Sequence, residues 1–366
     1  MKFLRLAFYV LIAQLVLSGC AGEAVEETSS SSSSEINFDA YLGRNASTRA
    51  GVTDIDFLKG KEWNSGFGVF ARYKHTDGTI SPLMLMNNEH VYWKNWKGDY
   101  SDWGYENTRY WPNEGTVDFY AFAPYNPDVT LVSPVSNSNE ANPTYIEFTS
   151  STAPVDLVWG KQPDKKAPIS PTDSKVKFQF KHVLARLGFD ITANQDLKKI
   201  DAVITVEKVK LYGKSIDKGA FDITGYLNLK TGLWDLVQDV DTRVVYTWTP
   251  TGLENRTSCF MLSASQLDYT CEKIENAPNS YLCIIPQVKY FPFYLQITYK
   301  VKQGEFQEEV TVKKDLLEVR NPPGVSNPSF SFEKGKAYVF HLKLSLDPIN
   351  FNVTTTVKDF DNVNNE

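Results

Sequence analysis

Apolar and polar residues alternate with a period of two in run after run of this chain, and that rhythm commits it to strands. Ile36, Phe38, Ala40 and Leu42 alternate with Asn37, Asp39 and Tyr41. Val117, Phe119, Ala121 and Ala123 alternate with Asp118, Tyr120 and Phe122, which makes a strand that is apolar on both faces. The same period returns at Val176, Phe178 and Phe180, from Val203 to Leu211, from Phe293 to Tyr299, and from Tyr338 to Leu346. Ile349, Phe351, Val353, Thr355 and Val357 close the series. In a strand, residues two apart share one face, so each run has a side to bury. Asp77-Gly78, Gly213-Lys214 and Asn321-Pro322-Pro323-Gly324 supply turns between runs. Windows with helical periodicity are scarce, and His182 to Leu187 reads as a short turn at most. Many short strands separated by turns predict an all-β chain built of sandwiches. With 22 Phe, 19 Tyr and 8 Trp, the residues available for burial favour strands as well.

One stretch interrupts the pattern. Gln162 to Lys175 is rich in Pro, Lys, Asp and Ser and carries Pro163, Pro168 and Pro171. Such a composition reads as a linker, which predicts a boundary near Ser174 and two domains, 35–173 and 174–366.

The first residues have a different logic. Lys2 and Arg5 precede an apolar run from Leu6 to Leu17 that only Gln14 interrupts, and Leu17-Ser18-Gly19-Cys20 follows. The run is too short to span a bilayer and has the length of a signal-peptide core. Small residues before a cysteine resemble the bacterial lipobox, so residues 1–19 are expected to be removed and Cys20 to be lipidated. The plainer alternative is an ordinary signal peptide followed by a chance cysteine. Several acyl chains make an effectively permanent anchor. No later apolar stretch reaches spanning length, so lipid is the expected anchor. Residues 20–34, with Glu23, Glu26, Glu27 and the run Ser29 to Ser34, have little apolar surface to repay ordering and read as a flexible leash. Acidic residues directly after such a cysteine resemble a signal for display on the outer face of the outer membrane. A plain solvated spacer is the competing reading.

Charge and chemistry narrow the function. A formal net charge of -6 without any Lys/Arg block gives nucleic acid no basic face to bind. Beyond Cys20 the cysteines are Cys259, Cys271 and Cys283, an odd number for an oxidising compartment; one disulfide with one thiol, or three thiols, are both open. Zinc spacing is absent, as are the Gly-x-Ser-x-Gly elbow, the phosphate loop and His-Glu-x-x-His. His75, His90, His182 and His341 are widely spread, and His182, between Phe180 and Leu184, reads as a hydrogen-bonded, partly buried residue. Asp359, Asp361, Asn364 and Glu366 lack the central glycine of a calcium loop and read as a solvated tail. No catalytic residue, cofactor or metal site is expected, and the chain is read as a non-enzyme.

One cluster is left for ligand binding. Tyr92, Trp93, Trp96, Tyr100, Trp103, Tyr105, Tyr110 and Trp111 lie among Lys94, Lys97, Asp99 and Asp102. Aromatic rings amid polar groups can stack on sugars or anchor a protein, so Trp93, Trp96, Trp103 and Trp111 are the candidates for a host glycan or protein ligand. The alternative is that these rings plug the end of the first sandwich.

Three blocks in order carry a resemblance: Val117-Asp118-Phe119-Tyr120-Ala121-Phe122-Ala123-Pro124, Asp156-Leu157-Val158-Trp159-Gly160, and Phe178-Gln179-Phe180-Lys181-His182-Val183-Leu184-Ala185-Arg186-Leu187. With Thr48-Arg49-Ala50 before them and Tyr338 to Phe360 after, they resemble the fimbrillin family, subunits of type V pili in Bacteroidales. The resemblance implies two transthyretin-like β-sandwich domains in tandem. It also implies cutting after an arginine, loss of an N-terminal strand, and filling of the vacated groove by a strand of a neighbouring subunit. The removable strand would then be Ile36, Phe38, Ala40 and Leu42, and the cut would fall between Arg49 and Ala50, with Arg44 a competing site. Ile349, Phe351, Val353 and Val357 repeat the same spacing and are the candidate donor strand. The competing reading leaves Ile36 to Leu42 in place as a first strand and makes Ile349 to Val357 the partner of Tyr338 to Leu346 in its own sandwich. The resemblance implies other fimbrial subunits as partners and a lipid-anchored place at the cell surface, in the fimbrium once processed. The alternative function is a lone surface lipoprotein that binds glycan through the Trp/Tyr cluster.

Overall fold

A computed structural model describes residues 34–43, 53–97, 100–134, 141–150, 155–170, 174–193, 201–239, 241, 243–248, 282–320, 326–344 and 352–359. In chain order the strands are β1 (Asn37–Tyr41), β2 (Phe67–Lys74), β3 (Ile80–Lys97), β4 (Tyr100–Gly104), β5 (Thr116–Ala123), β6 (Tyr145–Thr149), β7 (Val158–Lys165), β8 (Lys175–Gln179) and β9 (Lys181–His182). They continue as β10 (Ala185–Ala193), β11 (Ala202–Tyr212), β12 (Thr224–Asn228), β13 (Leu233–Leu236), β14 (Tyr246–Trp248), β15 (Leu282–Ile284) and β16 (Gln287–Lys289). The last are β17 (Tyr294–Gln303), β18 (Phe306–Asp315), β19 (Phe330–Phe332), β20 (Lys336–Leu344) and β21 (Asn352–Asp359). Short helices at Ile55–Leu58 and Leu316–Arg320 complete the described elements, so the fold is all-β as the alternation predicts.

Two sandwiches account for most of the strands. In the N-terminal one, a six-stranded sheet in the order β4-β3-β2-β5-β7-β9 faces a two-stranded sheet, β1-β8. Inward residues of both layers, among them Phe38, Phe67, Val69, Val117, Phe119 and Phe178, form one buried cluster. In the C-terminal one, the sheets β15-β10-β20-β21 and β14-β11-β17-β18 enclose a second cluster around Phe189, Leu211, Ile297, Tyr299 and Phe340, with the small β16-β19 pair beside it.

A third cluster lies between them. β5 is apolar on both faces because both are covered: Phe119 points into the N-terminal core, while Tyr120 and Phe122 point the other way. That outer face, with Phe70 and Trp159, packs on the three-stranded sheet β13-β12-β6, which supplies Ile146, Leu227 and Trp234. Within this sheet β6 pairs with β12 across five residue pairs, Thr149↔Thr224 to Tyr145↔Asn228, so a strand from early in the chain is bonded to one from after the crossing. Trp159 Nε1 donates to Leu229 O at 2.9 Å and Trp234 Nε1 to Val183 O at 2.7 Å. Gly232, at φ +67, lies against the Trp159 ring; an added Cβ would come within 2.6 Å of it.

The expected boundary near Ser174 is misplaced. β7 runs to Lys165, Lys175 opens β8, and β8 pairs in parallel with β1. Val176, Phe178 and Phe180 therefore belong to the N-terminal core, and the chain crosses over after His182. A Pro-rich stretch looked like a boundary, but it is a surface connection inside one sandwich. His182 to Leu187 holds no more than the short turn expected of it: β9 ends at His182, the chain bends at Leu184, and Ala185 opens β10.

Candidate functional site: the groove that holds the first strand

β1 is half of a two-stranded layer, and its side chains show why it is there. Ile36, Phe38 and Leu42 are buried, and Ala40 packs against the same core. The Phe38 ring stacks on Phe178 of β8 at 5.9 Å and meets Phe119 edge-on at 6.0 Å and Tyr105 at 5.6 Å. Each large apolar side chain buried in this way contributes roughly 1.5–3 kcal/mol. On one side the backbone pairs with β8 from Asn37↔Lys175 to Tyr41↔Gln179. On the other, Ile36 N donates to Arg109 O at 2.8 Å and Trp111 N to Ser34 O at 3.0 Å. Tyr105 Oη donates to Ile36 O at 2.7 Å and accepts from Arg109 N at 3.1 Å. Burial raises the Tyr105 phenol above its ordinary value, so it keeps the proton that this bond needs.

Two fixed points bracket the chain that follows. Leu42 is buried and Gly43 turns at φ 50. Thr53 is itself buried, bonded to Asp156 through both its backbone N–H and its hydroxyl. The Asp156 carboxylate also lies 3.0 Å from Nδ1 of His182, which is buried beside it. A buried carboxylate needs such partners. Asp54 then caps the Ile55–Leu58 helix by accepting from Phe57 N. Sequence reasoning placed His182 in a hydrogen-bonded interior but missed Thr53 and Asp156; the visible signal was an acid wedged between Val155 and Leu157.

The sequence-derived site residues fare differently. Cys20, Arg49 and Ala50, with Arg44, lie outside the described residues, as do Cys259, Cys271, Ile349 and Phe351. Val353 is buried in the C-terminal core, whereas Val357 is 39% exposed. Both sit on β21, the edge strand that pairs antiparallel with β20 from Lys343↔Asn352 to Lys336↔Asp359. In the single chain this segment completes its own sandwich. Cys283 is a buried free thiol whose pKa burial pushes up.

The aromatic cluster does not make one exposed platform. Trp103, Tyr105 and Trp111 are core residues, Trp103 packed edge-on to Trp93 at 5.2 Å and Trp111 against Phe119 at 5.6 Å. Trp93 is half-buried under the Lys59 ammonium, 4.2 Å from the ring centroid. Trp96 lies in β3, but its side chain is outside the described residues. Trp103 and Trp111 are therefore withdrawn from the ligand surface expected of them; they plug the end of the sandwich. Among the described residues, no three His, Cys, Asp or Glu side chains gather as for a metal ion.

The fimbrillin-like family model matches residues 48–359. The fimbrium subunit Fim1C of Phocaeicola vulgatus is 27% identical over 228 residues, 58% of this chain and 56% of that protein, so the match spans little more than half of this curated relative. The crystal structure of a fimbrial protein from Bacteroides vulgatus shares the fold, with a TM-score of 0.58 at 21% identity, over 89% of this chain and 99% of that one. Matched by its family model over most of its length, the chain belongs to the fimbrillin-like family.

Proposed function

We propose that this protein is a lipid-anchored fimbrial subunit, without enzymatic activity, that joins other subunits by strand addition and so serves adhesion at the cell surface. Lipid on Cys20 holds the precursor at the outer membrane. Cleavage between Arg49 and Ala50 frees β1, and a neighbouring subunit's strand, Ile349 to Val357 in a like subunit, takes its place. The partners are other fimbrial subunits; no nucleic acid and no cofactor are involved.

One observation carries this reading: β1 is one of two strands closing the N-terminal core, so its loss uncovers Phe119 and Phe178 and a row of unpaired backbone groups on β8. Such a groove is strongly disfavoured in water and is satisfied by any strand with the same two-residue period. Thr53, pinned to Asp156, keeps the rest of the chain in place when the segment before it is cut. β21 suits a donor because one side of it is an open edge and Val353 is its one apolar residue below one-tenth exposure among those described.

The test is treatment of the purified chain with an arginine-specific protease, followed by N-terminal sequencing, size analysis and electron microscopy. We expect a core starting at Ala50, loss of the β1 peptide and growth of polymers, with the double variant Arg44→Ala/Arg49→Ala keeping its β1 segment and staying monomeric. A chain cut at Arg49 that keeps its β1 peptide and stays monomeric would sink the strand-addition reading.

A further inference from the structure

The stretch that fills the N-terminal groove returns late in the chain. Ile36-Asn37-Phe38-Asp39-Ala40 is matched by Ile349-Asn350-Phe351-Asn352-Val353, with Ile, Asn and Phe in the same order, then Asn for Asp and Val for Ala. The likeness stops there, since Thr354 and Thr355 stand where β1 has Tyr41 and Leu42. In the groove the shared residues are the deepest ones. Ile36 is 0% and Phe38 1% exposed, and Phe38 lies against Phe178, Phe119 and Tyr105. Ala40 is half-buried, so Val at that position brings its larger side chain to the margin of the core and not to its centre.

The residue before the match fits as well. Glu35 precedes Ile36, and Pro348 precedes Ile349. Glu35 meets Tyr110 in an antiparallel bridge whose two bonds run from Ile36 N–H to Arg109 O and from Trp111 N–H to Ser34 O. The bridge does not use the N–H of Glu35, so a proline at that position costs it no hydrogen bond. One residue later, a proline would remove the N–H that Arg109 O accepts. Slipping the strand by one residue would also turn Ile349 and Phe351 away from the core, and slipping it by two would take Phe351 out of the Phe38 site.

We propose that Pro348 to Val353 of a second copy of this chain takes the places of Glu35 to Ala40, residue for residue and parallel to β8, so that the chain is its own donor. The proposal rests on the strand-addition reading above and adds the partner and the register to it. Tyr105, which donates to Ile36 O, then donates to the carbonyl of Ile349. The segment gives up the pairing of Val353 with Leu342 in its own sandwich and enters sites already shaped for Ile and Phe. Each copy carries both halves of one head-to-tail contact, which repeats without closing.

The experiment mixes two full-length variants, Asn352→Cys and Lys177→Cys, cuts both with the arginine-specific protease and oxidises the mixture mildly. Asp39 and Lys177 are register partners and both are exposed, so Asn352 in the place of Asp39 brings the two thiols within disulfide reach. The expected result is a reducible cross-linked dimer from the mixture and none from either variant alone. Gln179→Cys in place of Lys177→Cys should give none, since it lies about 6.6 Å further along the strand. A synthetic peptide of residues 347–357 should block assembly of the cut native chain, and the same peptide with Phe351→Ala should need roughly a hundredfold more. Polymers that form without the 352–177 cross-link, or an alanine peptide as potent as the native one, overturn the register and leave strand addition standing. Cut chains that release β1 yet stay monomeric overturn the self-partner and leave a different subunit as donor. Cut chains that keep β1 overturn both readings.

Discussion

Thr53 and Asp156 are joined twice, by Thr53 N–H to Oδ2 at 2.9 Å and by the Thr53 hydroxyl to the Asp156 carbonyl at 2.5 Å. The bonds close a link between residues at the front of the N-terminal sandwich and the start of β7. Asp156→Ala removes the acceptor of a buried N–H and the partner of His182 together. We expect a loss of about 3–5 kcal/mol in urea unfolding, against about 1 kcal/mol for Thr53→Val, which keeps the N–H bond. Near-equal losses would mean that the carboxylate is not the anchor.

Phe38→Ala empties a site shared by Phe178, Phe119 and Tyr105. In the uncut chain the expected cost is about 3–5 kcal/mol. After removal of β1 the same variant should be indistinguishable from the native core. A difference that survives removal would show that Phe38 acts on folding by another route.

Lys289 supplies a pH test. Burial, reinforced by the Arg243 guanidinium, pulls its ammonium down to about 8 from 10.5, while Asp222 opposes the shift. Because the folded value lies below the unfolded one, the unfolded chain holds the extra proton between them, and this group's contribution to stability rises with pH from about 8 to about 10.5. At neutral pH the folded chain carries the cost of a buried charge, roughly 3 kcal/mol at most. Lys289→Met should therefore raise the urea midpoint at pH 7, with the gain shrinking toward about pH 10. A gain independent of pH would assign the effect to packing.

Deleting 349–366 removes β21 and tests the two roles assigned to it. A truncated chain that folds, is cut and fails only to polymerise identifies the segment as donor. Misfolding, read by circular dichroism, would place it in its own core, with Val353 as the anchor.

Cys20→Ser should abolish palmitate labelling in cells and release the protein from the membrane fraction. Unchanged labelling would remove the lipid anchor from the reading.

What could be read in the sequence was local. Alternation at Val117–Ala123 foretold a strand buried on both faces, and β5 is covered by the core on one and by the joint cluster on the other. Alternation at Ile36–Leu42 foretold which side chains face in. It could not foretell that β1 pairs with β8, because a parallel pairing between such distant segments leaves no mark in either. The misplaced boundary has the same origin: proline and lysine around Pro168 signal exposed backbone, not the end of a core, and Phe178 lies beyond them. Among the aromatics, polar neighbours imply exposure, yet Trp103 faces inward while adjacent Asp102 binds Lys175 outside. Strand parity separates the two, and composition hides it.

The pairing of β6 with β12 also governs how the subunit responds to being pulled. A force that draws the two sandwiches apart must break five residue pairs together with the indole bonds of Trp159 and Trp234, since the β13-β12-β6 sheet is bonded to both halves. The joint between the two sandwiches is thereby tied by backbone and indole bonds at once, and it opens only when both give way.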